Sequence, residues 1–173
     1  MKKLRLLLTA ECNRACAGCC NRQYDLSALP ACRSYRGYRE IMLTGGEPML
    51  DPPMVSRVAL AVREQTFAPV YLYTAKTDEP LVLFTLLLTR LDGVTITLHD
   101  KSDVEPFRNF AVLVRGLGHL RSLRVNVFRP IPLEAIADVL ALASWRVKAD
   151  MEWIENCPLP DDEVFMRYAR EGE

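Results

Sequence analysis

Two hydrophobic periodicities alternate along the chain, and that alternation limits the folds open to it. Short runs rich in Leu, Val, Ile and Tyr predict strands over residues 4–9, 40–44, 70–74, 94–99, 123–128 and 151–154. Helical spacing fills the intervals at 54–64, 79–90, 104–117 and 133–143, with Asp or Glu near several first turns, where the helix dipole favours them. The Arg-rich stretch 21–38 reads as loop with one short helix. Strand and helix in alternation require parallel strands joined by right-handed crossovers. Six such units in 173 residues suit a partial, open (βα)6 barrel better than the closed eight-unit form, which takes ~250 residues. The expected division is a barrel over 1–157 and an acidic C-terminal tail over 158–173 that lies on the surface or frays.

Composition adds exclusions rather than a substrate. Half of the residues are hydrophobic and 25% are charged, as in a globular protein. Lys plus Arg equals Asp plus Glu at 22 each, which gives no nucleic-acid or anionic-membrane signal. The apolar start at Leu4 is too short for a secretory leader, and Glu11 and Arg14 stand where small residues would mark cleavage. No run approaches the ~18 apolar residues of a membrane span. A cytoplasmic protein is expected. In that reducing setting, six cysteines point to metal binding or catalysis rather than disulfides.

After the first strand the chain reads Cys12-Asn13-Arg14-Ala15-Cys16-Ala17-Gly18-Cys19-Cys20. Cys12, Cys16 and Cys19 have the spacing C-x3-C-x2-C. Three thiolates on one loop can hold three irons of a cubane and leave the fourth open to a small molecule. A zinc site is the alternative, with its fourth ligand from Cys20, Cys32 or Cys157. Cys32 and Cys157 otherwise read as small buried hydrophobes. The second strand ends in Leu43-Thr44-Gly45-Gly46-Glu47-Pro48. Paired glycines at this strand edge let a ligand approach the backbone, and a following carboxylate can take an ammonium.

Together, the cysteine loop after strand one and Gly45-Gly46-Glu47-Pro48 after strand two resemble the radical S-adenosylmethionine superfamily. The runs Gly93-Val94-Thr95-Ile96-Thr97-Leu98-His99-Asp100 and Val125-Asn126-Val127 resemble its fourth and fifth strands. The resemblance implies a 4Fe–4S cluster on Cys12, Cys16 and Cys19. It also implies S-adenosylmethionine held at Gly45, Gly46, Glu47 and Pro48, with Thr97 and Asn126 further in. Reductive cleavage to methionine and a 5′-deoxyadenosyl radical, which takes hydrogen from substrate, would follow. A flavodoxin- or ferredoxin-like electron donor is implied as partner. One departure stands out: the family commonly has an aromatic residue where this chain has Gly18, so adenine contact falls to Cys20, Asn21 or Tyr24.

Period-two alternation places Thr95, Thr97 and His99 on one strand face, where His99 is either a substrate contact or a structural histidine. Tyr71, Tyr73, Thr74, Lys76 and Arg129 stand at strand ends, where a polar or anionic substrate can bind. The substrate itself, a small molecule or a peptide, is not specified, and no residue is assigned to catalysis. Small size and the run Cys16–Asn21 also resemble activases of glycyl-radical enzymes, whose substrate is a protein. A non-catalytic zinc or iron–sulfur module is the reading from another class.

Overall fold

The computed structural model describes residues 1–78, 80–89, 91–154 and 157–169. Its strands are β1 (Lys3–Leu7), β2 (Ala31–Cys32), β3 (Glu40–Thr44), β4 (Val70–Thr74), β5 (Gly93–Leu98), β6 (Ser122–Phe128), β7 (Trp145–Met151) and β8 (Glu163–Tyr168). They form one open sheet in the order β2-β8-β1-β3-β4-β5-β6-β7. The register is parallel in β1/β3, β1/β8, β2/β8, β5/β6 and β6/β7. The helices are α1 (Pro52–Gln65), α2 (Pro80–Thr89), α3 (Val104–Val114) and α4 (Ala137–Leu140). The expected parallel α/β class is present, with eight strands where six were expected. The chain divides into two compact units, Met1–Tyr71 with Trp153–Glu173, and Leu72–Glu152.

In the first unit, β1 and β3 bury Leu4, Leu6, Ile41 and Leu43 completely. Against them α1 presents Val55, Val58, Ala59 and Val62, the i, i+3, i+4, i+7 stripe of an amphipathic helix. That helix starts sharply because Asp51 accepts a hydrogen bond from the Met54 N–H, while Pro52 and Pro53 occupy the first turn. The segment expected as a frayed tail instead supplies β8, seated between β2 and β1. Its acidic flank misled the reading: Glu163 is buried because Arg5 of β1 meets it at 2.7 Å. Residues 170–173 of that expected tail lie outside the described residues.

Arg5→Ala would strand the Glu163 carboxylate in the sheet. Losing a hydrogen bond to a charged, largely buried partner costs about 1.5–3 kcal/mol. Urea unfolding should show that loss, and a change below about 0.5 kcal/mol, the range of ordinary surface substitutions, would remove the pair from the account of how β8 is held.

The second unit carries β5, β6 and β7 with α2, α3 and α4. Helix α3 buries Phe107, Phe110, Ala111 and Val114, and Trp145 meets Phe107 edge-on at 5.2 Å. It stops at Val114 rather than at 117, just before Gly116. Helix α2 covers the expected 79–90 segment apart from its end residues, which lie outside the described residues. It buries Val82 and Leu86 yet leaves Leu81, Phe84, Leu87 and Leu88 exposed, so it is apolar on both faces. The expected helix over 133–143 is broken into a 3₁₀ turn, Leu133–Ala135, and the short α4, because Ile136 has φ −130° between them.

The strand expected at 151–154 is in fact β7 at Trp145–Met151. This edge strand alternates Trp145, Val147, Ala149 and Met151 with Arg146, Lys148 and Asp150. Charged residues on an exposed edge discourage pairing with other chains, and they also break up the apolar run that marks an interior strand.

Candidate functional site

The cysteine loop and the Gly45–Pro48 turn leave neighbouring strands at the same end. Leu7 and Thr44 are register partners in β1/β3, and each motif starts just beyond. Three backbone hydrogen bonds then continue the ladder into the loops. Leu8 N–H donates to Thr44 C=O, Gly46 N–H to Thr9 C=O and Glu47 N–H to Glu11 C=O, each at 2.8 Å. Asn21 Nδ2 closes the other side by donating to Gly45 C=O at 2.7 Å. The turn is thus laced to the cysteine loop from before Cys12 to beyond Cys19.

This lacing explains the two glycines. A Cβ on Gly45 would stand 2.5 Å from the Thr9 carbonyl oxygen, and one on Gly46 would stand 2.0 Å from that of Glu11. Neither contact is sterically possible. The space that the sequence reading kept for a ligand is taken, at these two positions, by the backbone that leads into Cys12.

Glu47 is only 2% exposed. Its carboxylate accepts a hydrogen bond from the Met49 N–H at 2.9 Å, which caps a 3₁₀ turn over Pro48–Leu50. Pro48 sits at the start of that turn and is buried, as Pro at a helical N-terminus can be. The turn runs into Asp51 and α1, so Glu47 and Asp51 are consecutive caps that fix the path away from the site.

Cys12 is exposed, while Cys16 and Cys19 are half-buried. Burial raises the Cys16 thiol above its ordinary value. Cys12 and Cys19 raise it further, and Arg14 opposes them. Among the described residues, no group of three or more His, Cys, Asp or Glu is drawn into a cage around a metal position. That holds for Cys12, Cys16 and Cys19 as well, so what points to a three-cysteine cluster is the chemistry and C-x3-C-x2-C spacing of three soft donors on one loop.

The candidates named for adenine contact are engaged elsewhere. Asn21 holds Gly45, Tyr24 packs edge-on against Phe165 at 5.2 Å, and Cys20 is half-buried with Cys157 as a neighbouring thiol. Burial first, then that thiol, push Cys20 up to about 11. Cys32 is buried as expected, but Cys157 is half-exposed. The sequence reading missed Trp153: its Cβ lies 2.9 Å from where a Gly18 Cβ would be, with the ring at 3.2 Å. Gly18 and Trp153 are complementary, since any side chain at 18 would displace the indole.

In the second unit, Thr97 of β5 and Asn126 of β6 are register partners, and Asn126 Nδ2 donates to Thr97 Oγ1 at 3.3 Å. His99 follows β5. Its N–H donates to the Asp103 carboxylate at 2.7 Å and its ring lies against Phe128, 5.3 Å between centroids. Of the strand-end cations, Lys76 pairs with Asp78 at 3.0 Å and Arg129 pairs with Glu152. Tyr71 and Tyr73 are half-buried and Thr74 is buried, its hydroxyl taking the Lys76 N–H.

No protein-family model matches the chain. It is similar to a GTP 3′,8-cyclase from Paenarthrobacter nicotinovorans, 27% identical over 192 aligned positions. The alignment takes in 95% of this chain and 53% of that relative, so the chain spans about half the length of the protein it matches. That relative is a radical S-adenosylmethionine enzyme. The similarity runs in the same direction as the two motifs and supports that superfamily in general, without fixing a substrate. Among the described residues, no helix is long and apolar enough to cross a membrane.

Proposed function

We propose that this chain is a cytoplasmic radical S-adenosylmethionine enzyme acting on a small molecule or peptide. The observation that carries the reading is the joining of its two motifs. The C-x3-C-x2-C loop and Gly45-Gly46-Glu47 leave adjacent parallel strands and are hydrogen-bonded along their length. Parallel α/β sheets bind ligands at this strand end. The distant cyclase adds support from an independent direction. Its own substrate is not carried over, because half of that protein has no counterpart here.

Cys12, Cys16 and Cys19 would hold a 4Fe–4S cluster, leaving one iron for S-adenosylmethionine. When bound, the cluster would pass an electron from a flavodoxin- or ferredoxin-like donor into the sulfonium, giving methionine and a 5′-deoxyadenosyl radical. The chain's own part is to hold and orient. The Gly45–Glu47 backbone fixes the loop, Glu47 offers negative charge to the methionine ammonium, and the Trp153 indole beside Gly18 gives a flat apolar surface for a base.

Protein reconstituted without oxygen and reduced is expected to release 5′-deoxyadenosine and methionine from S-adenosylmethionine. Stoichiometric zinc that iron cannot replace would end the proposal. The two duties of Glu47 can be separated. Glu47→Gln keeps an oxygen for the Met49 N–H but removes the charge, and cofactor binding should weaken by about 1.5–3 kcal/mol. Glu47→Ala should lose the cap as well, at a further cost of about 1 kcal/mol in stability. Equal cofactor affinity in Glu47→Gln and the parent would show the carboxylate to be a cap alone.

A further inference from the structure

The first compact unit holds a cavity of about 630 Å³ that the proposed chemistry does not use. Small-molecule sites span about 300–1,000 Å³, so its size fits one. It lies where β1 and β8 end, the edge at which parallel α/β sheets take ligands. Thr9, Ala10 and Glu11 on its wall lead directly into Cys12. Leu50 and Asp51, also on the wall, follow the Gly45–Pro48 turn, so the cavity borders both motifs. Leu7, Leu8, Leu26, Leu50 and Met54 make part of the lining apolar. The rest carries charge of both signs. Glu11 and Asp51 are exposed acids, and Asp51 gives one carboxylate oxygen to the Met54 N–H and keeps the other. Arg167, the register partner of Leu7, brings a guanidinium that donates to the Tyr168 C=O at 3.5 Å.

We propose that this cavity is the substrate pocket and that it takes a free α-amino acid with a bulky apolar side chain; the substrate role, though not the binding, rests on the radical S-adenosylmethionine reading. Only a ligand with all three parts uses the whole lining. An ammonium suits Glu11 and Asp51, and a carboxylate suits the planar fork of Arg167. An apolar side chain suits the leucines and Met54, which it covers from water. A purely anionic ligand would face two carboxylates, and a purely cationic one would face the guanidinium. A residue inside a peptide carries neither backbone charge, so the free amino acid is the form that matches. The methionine part of the cofactor is a different ligand: Gly45, Gly46 and Glu47, the positions proposed for it, do not line the cavity.

Calorimetry on the full metal-free chain, with L-phenylalanine, L-leucine and L-tryptophan as probes, reads the binding without a cluster. At least one probe should bind one-to-one. Its N-acetyl and amide derivatives each lack one charge and should bind about tenfold or more weakly, the cost of losing a hydrogen bond to a charged group. Glu11→Gln combined with Asp51→Asn should weaken the probe by a similar factor, and Asn at 51 keeps the cap on α1. Arg167→Gln should bind the amino acid and its amide alike. Saturating S-adenosylmethionine should leave the probe's affinity unchanged. No binding by any probe, equal binding of the derivatives to the parent chain, or displacement by S-adenosylmethionine would overturn the pocket. In reconstituted, reduced protein the same probe should raise the release of 5′-deoxyadenosine. Binding with unchanged release from an active enzyme would overturn the substrate role. Binding to a chain that loads its cluster but cleaves no S-adenosylmethionine would overturn the proposed activity and uphold the amino-acid site.

Discussion

Cys12→Ala, Cys16→Ala and Cys19→Ala are each expected to abolish the cluster, whereas Cys32→Ala and Cys157→Ala retain about four irons and four sulfides per chain after anaerobic reconstitution. The asymmetry follows from placement. Cys32 spends its thiol on Ser34 deep beside β8, and Cys157 lies in the segment between β7 and β8. Neither belongs to the C-x3-C-x2-C loop, where Cys12 and Cys19 add to the rise of the Cys16 thiol. Iron and sulfide assay with visible absorbance reads the outcome directly. Wild-type iron content in any one of the three loop variants would remove that residue from the ligand set, and in all three would remove the site.

Gly46→Ala should have the largest effect of any change outside those cysteines. Its new methyl would have to sit 2.0 Å from a backbone oxygen, so the cysteine loop and the turn must separate. Backbone cannot rotate aside as a long side chain can, and overpacking of this kind costs about 1–3 kcal/mol or more. For a chain of this size that corresponds to a fall of about 3–10 °C in Tm. Iron loading should fall with it, because the strained hydrogen bonds are those at Thr9 and Glu11, immediately before Cys12. Gly116→Ala is the control, since its Cβ meets nothing nearer than 3.6 Å. Equal melting of the two variants would mean that the loop tolerates separation from the turn.

How much of this was legible beforehand depended on whether a residue's reason for being there was local. Strands β3 and β4 could be read to the residue, since interior parallel strands are continuous apolar runs bounded by polar turns. The two motifs were legible for the same reason: spacing along the chain is what cluster ligation requires. Strand β8 was not, because the carboxylate that looked solvent-bound is neutralised by Arg5, 158 positions away. Strand β7 was hidden by its edge position, where charged residues interrupt the apolar pattern. The close approach of Trp153 to Gly18 had no signal in either segment alone. Gly45 and Gly46 were read as bare positions that let a ligand approach, whereas what crowds them is this chain's own backbone, which only the fold could reveal.

The insertion of β8 beside β1 bears on when the cysteine loop can be finished during synthesis. The strand that launches the loop emerges first from the ribosome, while its partner at Glu163–Tyr168 comes last among the described elements. At about 5–20 residues per second, that gap is roughly 8–30 seconds. Throughout it, β1 has only one flank available, and Arg5 has no Glu163. The nascent loop therefore waits, with its thiols reduced and its anchoring strand half-paired, until the far end of the chain arrives. Iron delivery to this loop should accordingly follow the synthesis of β8, and pulse-labelled nascent chains stalled before Glu163 should carry none.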